Sequence, residues 1–227
     1  MRATLDIVKG SDRFTYDDDT HVYTLNGSPI PSNTRILEAG GITNYDDVPK
    51  DRLEYAKNRG KAVHKAAELH LNGMLDRYTL HQDVAPYLEG FVRFEKLSGF
   101  KSLMTETPIY SKVWRFGTTP DLIGFFHGAA RWCIVEMKTT AESVAPGRIQ
   151  TAGQLMAAAE FYAGVKFTNP DVPPFETADR YVLELKPGDF KLHGPFVNTQ
   201  EEIVVFQSCV WTHNWKLRFR RQNGGSQ

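Results

Sequence analysis

The run Trp132-Cys-Ile-Val-Glu136-Met-Lys138 constrains this chain more than any other segment. Its apolar and β-branched residues suit an extended strand buried on both faces. Side chains on a strand alternate, so Trp132, Ile134, Glu136 and Lys138 share one face, and Cys133, Val135 and Met137 share the other. A carboxylate and an ammonium therefore point the same way, at the end of a strand otherwise patterned for burial. Placing two charges there is costly unless they bind something. The competing reading is a salt bridge at a solvent-facing strand end.

The preceding segment adds a second carboxylate. A strand is expected over Thr119–Phe126, joined to the next, Arg131–Lys138, by a two-residue turn at Gly128-Ala129. That turn sets Asp121 directly opposite Glu136. Opposed residues have Cβ atoms about 4.5–5.5 Å apart, so two carboxylates converge. Their repulsion raises one pKa unless a cation lies between them, and a hard divalent ion with oxygen ligands suits such a place. A slip of one residue in register would send the two groups to opposite faces.

Around this pair the pattern predicts alternating helices and strands. Phe14-Thr-Tyr16 and His21-Val-Tyr23-Thr-Leu25, followed by Asn26-Gly27, read as a small N-terminal β-hairpin, and Pro31-Ser32-Asn33-Thr34 caps a short helix. Apolar steps of three and four predict helices over Asp51–Met74 and Pro86–Leu97, then a strand over Leu103–Val113 before the two described above. A helix over Pro146–Ala163, a hairpin over Asp179–Leu192 turning at Pro187-Gly188-Asp189, and a last helix over Gln200–Arg220 complete the order. The expected class is α/β: a central mixed β-sheet flanked by α-helices, with the small hairpin in front. Residues 1–222 are expected as one domain and 223–227 as a disordered tail.

Composition narrows the function classes. No apolar run approaches the roughly 18 residues of a membrane span, and Met-Arg-Ala-Thr-Leu-Asp lacks a secretory pattern, so a cytoplasmic protein is expected. Only Cys133 and Cys209 occur, which excludes a four-cysteine zinc site or iron–sulfur cluster within this chain. The net charge is zero, whereas DNA-binding domains usually carry a basic excess. Acidic metal ligands offset basic residues in such a count until the ion binds. The distribution is also uneven, with Asp17-Asp18-Asp19 near the start and Lys216, Arg218, Arg220 and Arg221 near the end. No phosphate-cradling Gly-x-x-x-x-Gly-Lys-Ser/Thr loop is present.

Pro120-Asp121 on one strand and Glu136-Met137-Lys138 on the next resemble the PD-(D/E)XK nucleases. The helix segment Arg59-Gly60-Lys61-Ala-Val-His64-Lys65-Ala-Ala-Glu68 resembles the histidine motif of the RecB-like branch. Arg148-Ile-Gln150-Thr-Ala-Gly-Gln154 resembles its glutamine motif, although Gln154 stands where a tyrosine is expected. Phe14-x-Tyr16, His21-x-Tyr23, Gly27-x-x-x-Pro31-Ser32-x-Thr34-x-Ile36-Leu37 and Glu106-x-Pro-x-Tyr110 resemble phage-encoded exonucleases of this branch. The likeness runs from residue 14 to about residue 186.

This resemblance implies a restriction-endonuclease-like core and a Mg²⁺ or Mn²⁺ ion held by His64, Asp121, Glu136 and the Met137 carbonyl. His64 favours manganese, with Glu68 one helical turn on to orient it. Asp121, Glu136, Lys138 and Gln150 are the implied catalytic residues, and Lys61, Lys65, Arg148 and Gln154 the implied substrate contacts. The expected activity is hydrolysis of DNA from its ends, in phage replication, recombination or repair, within the host cytoplasm if phage-encoded. The expected partners are single-stranded or free-ended DNA and a recombination or single-strand-binding protein. Two alternatives are a catalytically inactive nuclease-like module that binds DNA or a recombination partner, and a structure- or site-specific endonuclease.

Overall fold

The computed structural model describes residues 5–128, 131–165 and 178–223. Its N-terminal part is larger than the expected hairpin. β1 (Leu5–Lys9), β2 (Asp12–Asp17), β3 (Val22–Leu25) and β4 (Ser28–Ile30) form one antiparallel sheet in that order. The turn between β3 and β4 is Asn26-Gly27, with φ of 52° and 77°, the left-handed pair that a two-residue hairpin turn requires. Phe14, Tyr16, Tyr23, Leu25 and Ile30 bury together with Tyr110 as a small core of their own.

α1 (Asn33–Ala39) starts at Ser32, whose hydroxyl accepts from the Arg35 N–H. α2 (Lys50–Leu71) and α3 (Ala85–Ser98) follow, and α3 stops on Gly99 at φ 66°. The single strand expected over Leu103–Val113 is two strands, β5 (Phe100–Thr105) and β6 (Ile109–Ser111). Pro108, which has no N–H to give a ladder, separates them. Pro120 in the same way separates β7 (Phe116–Thr118) from β8 (Leu122–Phe126). β9 (Trp132–Lys138), α4 (Val144–Phe161), β10 (Ala178–Lys186), β11 (Asp189–His193) and α5 (Thr199–Asn223) complete the chain.

The fold is mixed α/β. A five-stranded sheet runs in the order β11-β10-β9-β8-β5, and β6 and β7 pair separately. Only β9 and β10 are parallel, and α4 lies on the crossover between them. The alternation on β9 sorts the helices by face. Trp132 and Ile134 pack with Ile36, Leu155 and Phe206 of α1, α4 and α5. Cys133, Val135 and Met137 pack with Val63, Leu88, Phe91 and Phe94 of α2 and α3. β8 and β9 take the expected register, with Leu122 opposite Val135 and Ile123 opposite Ile134. Ala129 and Ala130 of the expected turn, and most of the expected disordered tail, lie outside the described residues. Among the described residues no helix is long and apolar enough to cross a membrane.

Candidate metal centre

Asp121 sits one residue before β8 and ties three strand ends together. Its backbone carbonyl accepts from the Glu106 N–H at 3.0 Å, just past the end of β5. Its Oδ2 accepts from the Met137 N–H on β9 at 2.6 Å. The side chain thus occupies the place of a main-chain rung, and it is buried. Glu106 takes φ of 48°, a left-handed backbone that non-glycine residues adopt at a cost and that is found at functional sites.

His64 reaches this point from α2. Its Nε2 lies 3.1 Å from the Met137 carbonyl, which only accepts, so Nε2 carries the proton. The other ring nitrogen, Nδ1, lies 3.2 Å from Asp121 Oδ1 and 3.5 Å from Glu106 Oε1. A neutral imidazole would aim a lone pair at two carboxylates, so the arrangement calls for a proton on Nδ1 or a cation in its place. Burial opposes the imidazolium, but Asp121 and Glu106 outweigh it and hold the His64 pKa well above its ordinary value. Burial pushes the Glu106 carboxyl up to about 7, with His64 pulling against it and Asp121 adding to it.

Ligand atoms of His64, Glu106 and Asp121 lie within 4.8 Å of one another, the span of donors around one small cation. One imidazole nitrogen and two carboxylates fit a hard or borderline divalent ion, with two negative charges to set against it. This is not the donor set expected from sequence. Glu136 lies outside this group; Lys138 Nζ donates to its Oε1 at 2.7 Å and Gln154 Nε2 to its Oε2 at 2.7 Å. The Met137 carbonyl is engaged by His64 and orients the ring. Glu68 pairs with Lys65, not with His64.

Of the pair beside the triad, Glu136 is buried and Lys138 partly so. Burial raises the Glu136 pKa, helped by Asp121 and opposed by Lys138. Burial works against the Lys138 charge, yet Glu136 and Asp121 raise its pKa. Gln150 Oε1 accepts from Lys138 Nζ at 3.0 Å, and the Gln150 backbone carbonyl accepts from Asn33 Nδ2 at 2.9 Å. α4 therefore holds both charges through its two glutamines.

Other expected contacts fall differently. Gln154 is 0% exposed, so its amide serves Glu136 and has no access to a substrate. Arg148 pairs with Glu202 and lies over the Phe196 ring, and the fully buried Arg180 holds the same carboxylate. Its guanidinium is thereby occupied in fastening α4 to α5. Lys61 and Lys65 stand exposed on α2 beside His64. Two residues near the site appeared in the matched motifs but were given no role from sequence. Glu106 fell inside a stretch read as one strand, where Pro108 was the signal of the break that brings it to the centre. Arg59 reaches the Thr139 carbonyl at 3.4 Å, one residue past Lys138, with its guanidinium over the Tyr87 ring. Compared with known proteins, the chain matches no family model and no curated protein.

Proposed function

We propose that the chain is a divalent-metal-dependent phosphodiesterase that hydrolyses DNA from an end, on the restriction-endonuclease-like core of the PD-(D/E)XK nucleases. The observation that carries this reading is the meeting of His64, Glu106 and Asp121 within 4.8 Å at the strand ends, beside the Glu136–Lys138 pair. The donor set suits Mg²⁺ or Mn²⁺, and its imidazole favours manganese. A divalent ion held there supplies Lewis-acid stabilisation of the charge that develops on the attacked phosphate.

The chain's own groups do the rest. Lys138 has three N–H donors, of which Glu136 and Gln150 take two. The third is left for the attacking water or a phosphate oxygen. With its pKa raised, Lys138 stays an ammonium near neutrality, so it positions and polarises and does not accept the proton. Gln154 and Gln150 fix the Glu136–Lys138 pair, and Met137 fixes the tautomer of His64. The exposed Lys61 suits a phosphate contact that holds the strand without reading sequence. A module that only binds DNA has no use for two carboxylates crowded around one imidazole, which supports the catalytic reading over the binding one.

The test is cleavage of end-labelled linear and closed-circular DNA with Mg²⁺, Mn²⁺ or EDTA, with Lys138→Ala beside the natural chain. Metal-dependent loss of linear DNA alone, absent in the variant, is expected. Cutting of the circle would make the protein an endonuclease. DNA binding without cleavage under either metal would leave the binding module.

A further inference from the structure

The last turns of α5 combine two features that a helix packed on a fold does not need. Asn214 to Arg220 are all exposed, so this part has no buried face. Within it Trp215, Leu217 and Phe219 alternate in sequence with Lys216, Arg218 and Arg220. Trp211, Trp215 and Phe219 follow at four-residue steps and so share one side, 61%, 56% and 51% exposed. Trp215 and Phe219 stack at 5.2 Å. Trp211 meets Trp114 edge-on at 6.5 Å, at the tip of the β6–β7 hairpin, where Arg115 is also exposed.

Charge selects the occupant of this surface. No acidic residue follows Glu202 in the sequence. Among the described residues Arg115, Arg218 and Arg220 take part in no ion pair, while Lys216 is tied to the Ala39 carbonyl at 2.8 Å. A second copy laid along this helix would bring cations against cations. A lipid surface asks for rings on one side of a helix and charges on the other, whereas here Arg218, three residues from Trp215 and seven from Trp211, falls on the ring side, and Arg115 lies next to Trp114. A single nucleic-acid strand asks for aromatic faces and cations together, since bases stack while phosphates need neutralising.

We propose that Trp114, Trp211, Trp215 and Phe219, with Arg115, Arg218 and Arg220, form a stacking platform for single-stranded nucleic acid. The role of the platform as a feed to the metal centre rests on the phosphodiesterase reading above; its binding of a strand does not. Continuity with the centre is covalent. Trp114 leads through β7 to Asp121, a path of no more than roughly 25 Å for an extended chain. Trp114, at the edge of the platform, is therefore no farther than that from Asp121.

The test is a titration of the full chain with an oligothymidylate of about 20 nucleotides, longer than the 4–16 that a single-strand site typically covers, followed by intrinsic tryptophan fluorescence. EDTA is present, so no cleavage is needed for the result. Trp215→Ala/Phe219→Ala is expected to weaken binding at least about tenfold, from the loss of two stacking faces. Arg218→Ala/Arg220→Ala is expected to weaken it and to flatten the slope of log affinity against log salt by about 1.4, at roughly 0.7 per phosphate contact. The melting midpoint and Mn²⁺ affinity of both variants report that the fold is kept. Unchanged affinity in both variants would overturn the platform. So would capture of phosphatidylserine vesicles in place of the oligonucleotide, or a dimer that these substitutions dissolve while the oligonucleotide stays unbound. A chain that cleaves nothing but loses oligonucleotide binding in both variants would keep the platform and remove the nuclease.

Discussion

The Met137 N–H donates to Asp121 Oδ2 at 2.6 Å, so a side chain, not a backbone carbonyl, closes the β8–β9 ladder beside His64 and Glu106. The same carboxylate presents Oδ1 to His64 at 3.2 Å. Asp121→Asn keeps an oxygen for Met137 but removes the charge beside the imidazole. The expected result is a native fold, a His64 pKa returned toward its ordinary range by NMR, and DNA hydrolysis reduced by more than about tenfold. Unaltered hydrolysis would remove Asp121 from the chemistry.

Stability and metal affinity should move in opposite directions with pH. The pKa of Glu106 is raised to about 7 and that of His64 is also raised, so the metal-free folded state binds more protons than the unfolded chain near neutrality. Stability then falls as pH rises from about 5 through 7 and beyond. Divalent metal competes with those protons, so its affinity rises over the same window. Melting midpoints with and without Mn²⁺ at a series of pH values check both trends. A metal-free midpoint that climbs toward pH 8 would contradict the account.

Gln154→Leu tests how far Glu136 depends on its buried amide. The substitution leaves Glu136 Oε2 without its 2.7 Å donor in a closed environment. A loss of about 1–3 kcal/mol is expected by chemical denaturation, with hydrolysis reduced because the partner of Lys138 is no longer fixed. A variant as stable as the natural chain would mean that water reaches this carboxylate.

Gly153 lies at the contact of α4 with α5, where a Cβ would come within 2.5 Å of Phe206 Cζ. Alanine in a helix interior usually stabilises by about 1 kcal/mol relative to glycine. Here Gly153→Ala is expected to destabilise by about 1–3 kcal/mol through overpacking. Denaturant midpoints decide the sign.

Local pattern carried the sheet and half of the centre. Alternation on β9 and a two-residue turn were enough to set Asp121 at the level of Glu136, and helical spacing put His64 on a long helix. What local pattern missed depends on distant parts of the chain or on the backbone. Glu106 joins the centre through a left-handed φ that alternation cannot express. Glu68, one turn from His64, was the nearest orienting group in sequence, yet the ring is oriented by Met137 from another element. Arg148 looks free in sequence because its partner Glu202 is 54 positions away. The buried Arg180 gives no sequence signal, since it is paid for by Glu202, Thr151 and the Arg148 carbonyl together.

The most direct measurement is calorimetric titration of Mn²⁺ into the metal-free chain near pH 7.5, with Glu106→Gln and His64→Ala in parallel. One site in the natural chain, weakened at least about tenfold in each variant, is the expected result. No binding in the natural chain, or a site that neither substitution weakens, would contradict a metal centre at His64, Glu106 and Asp121.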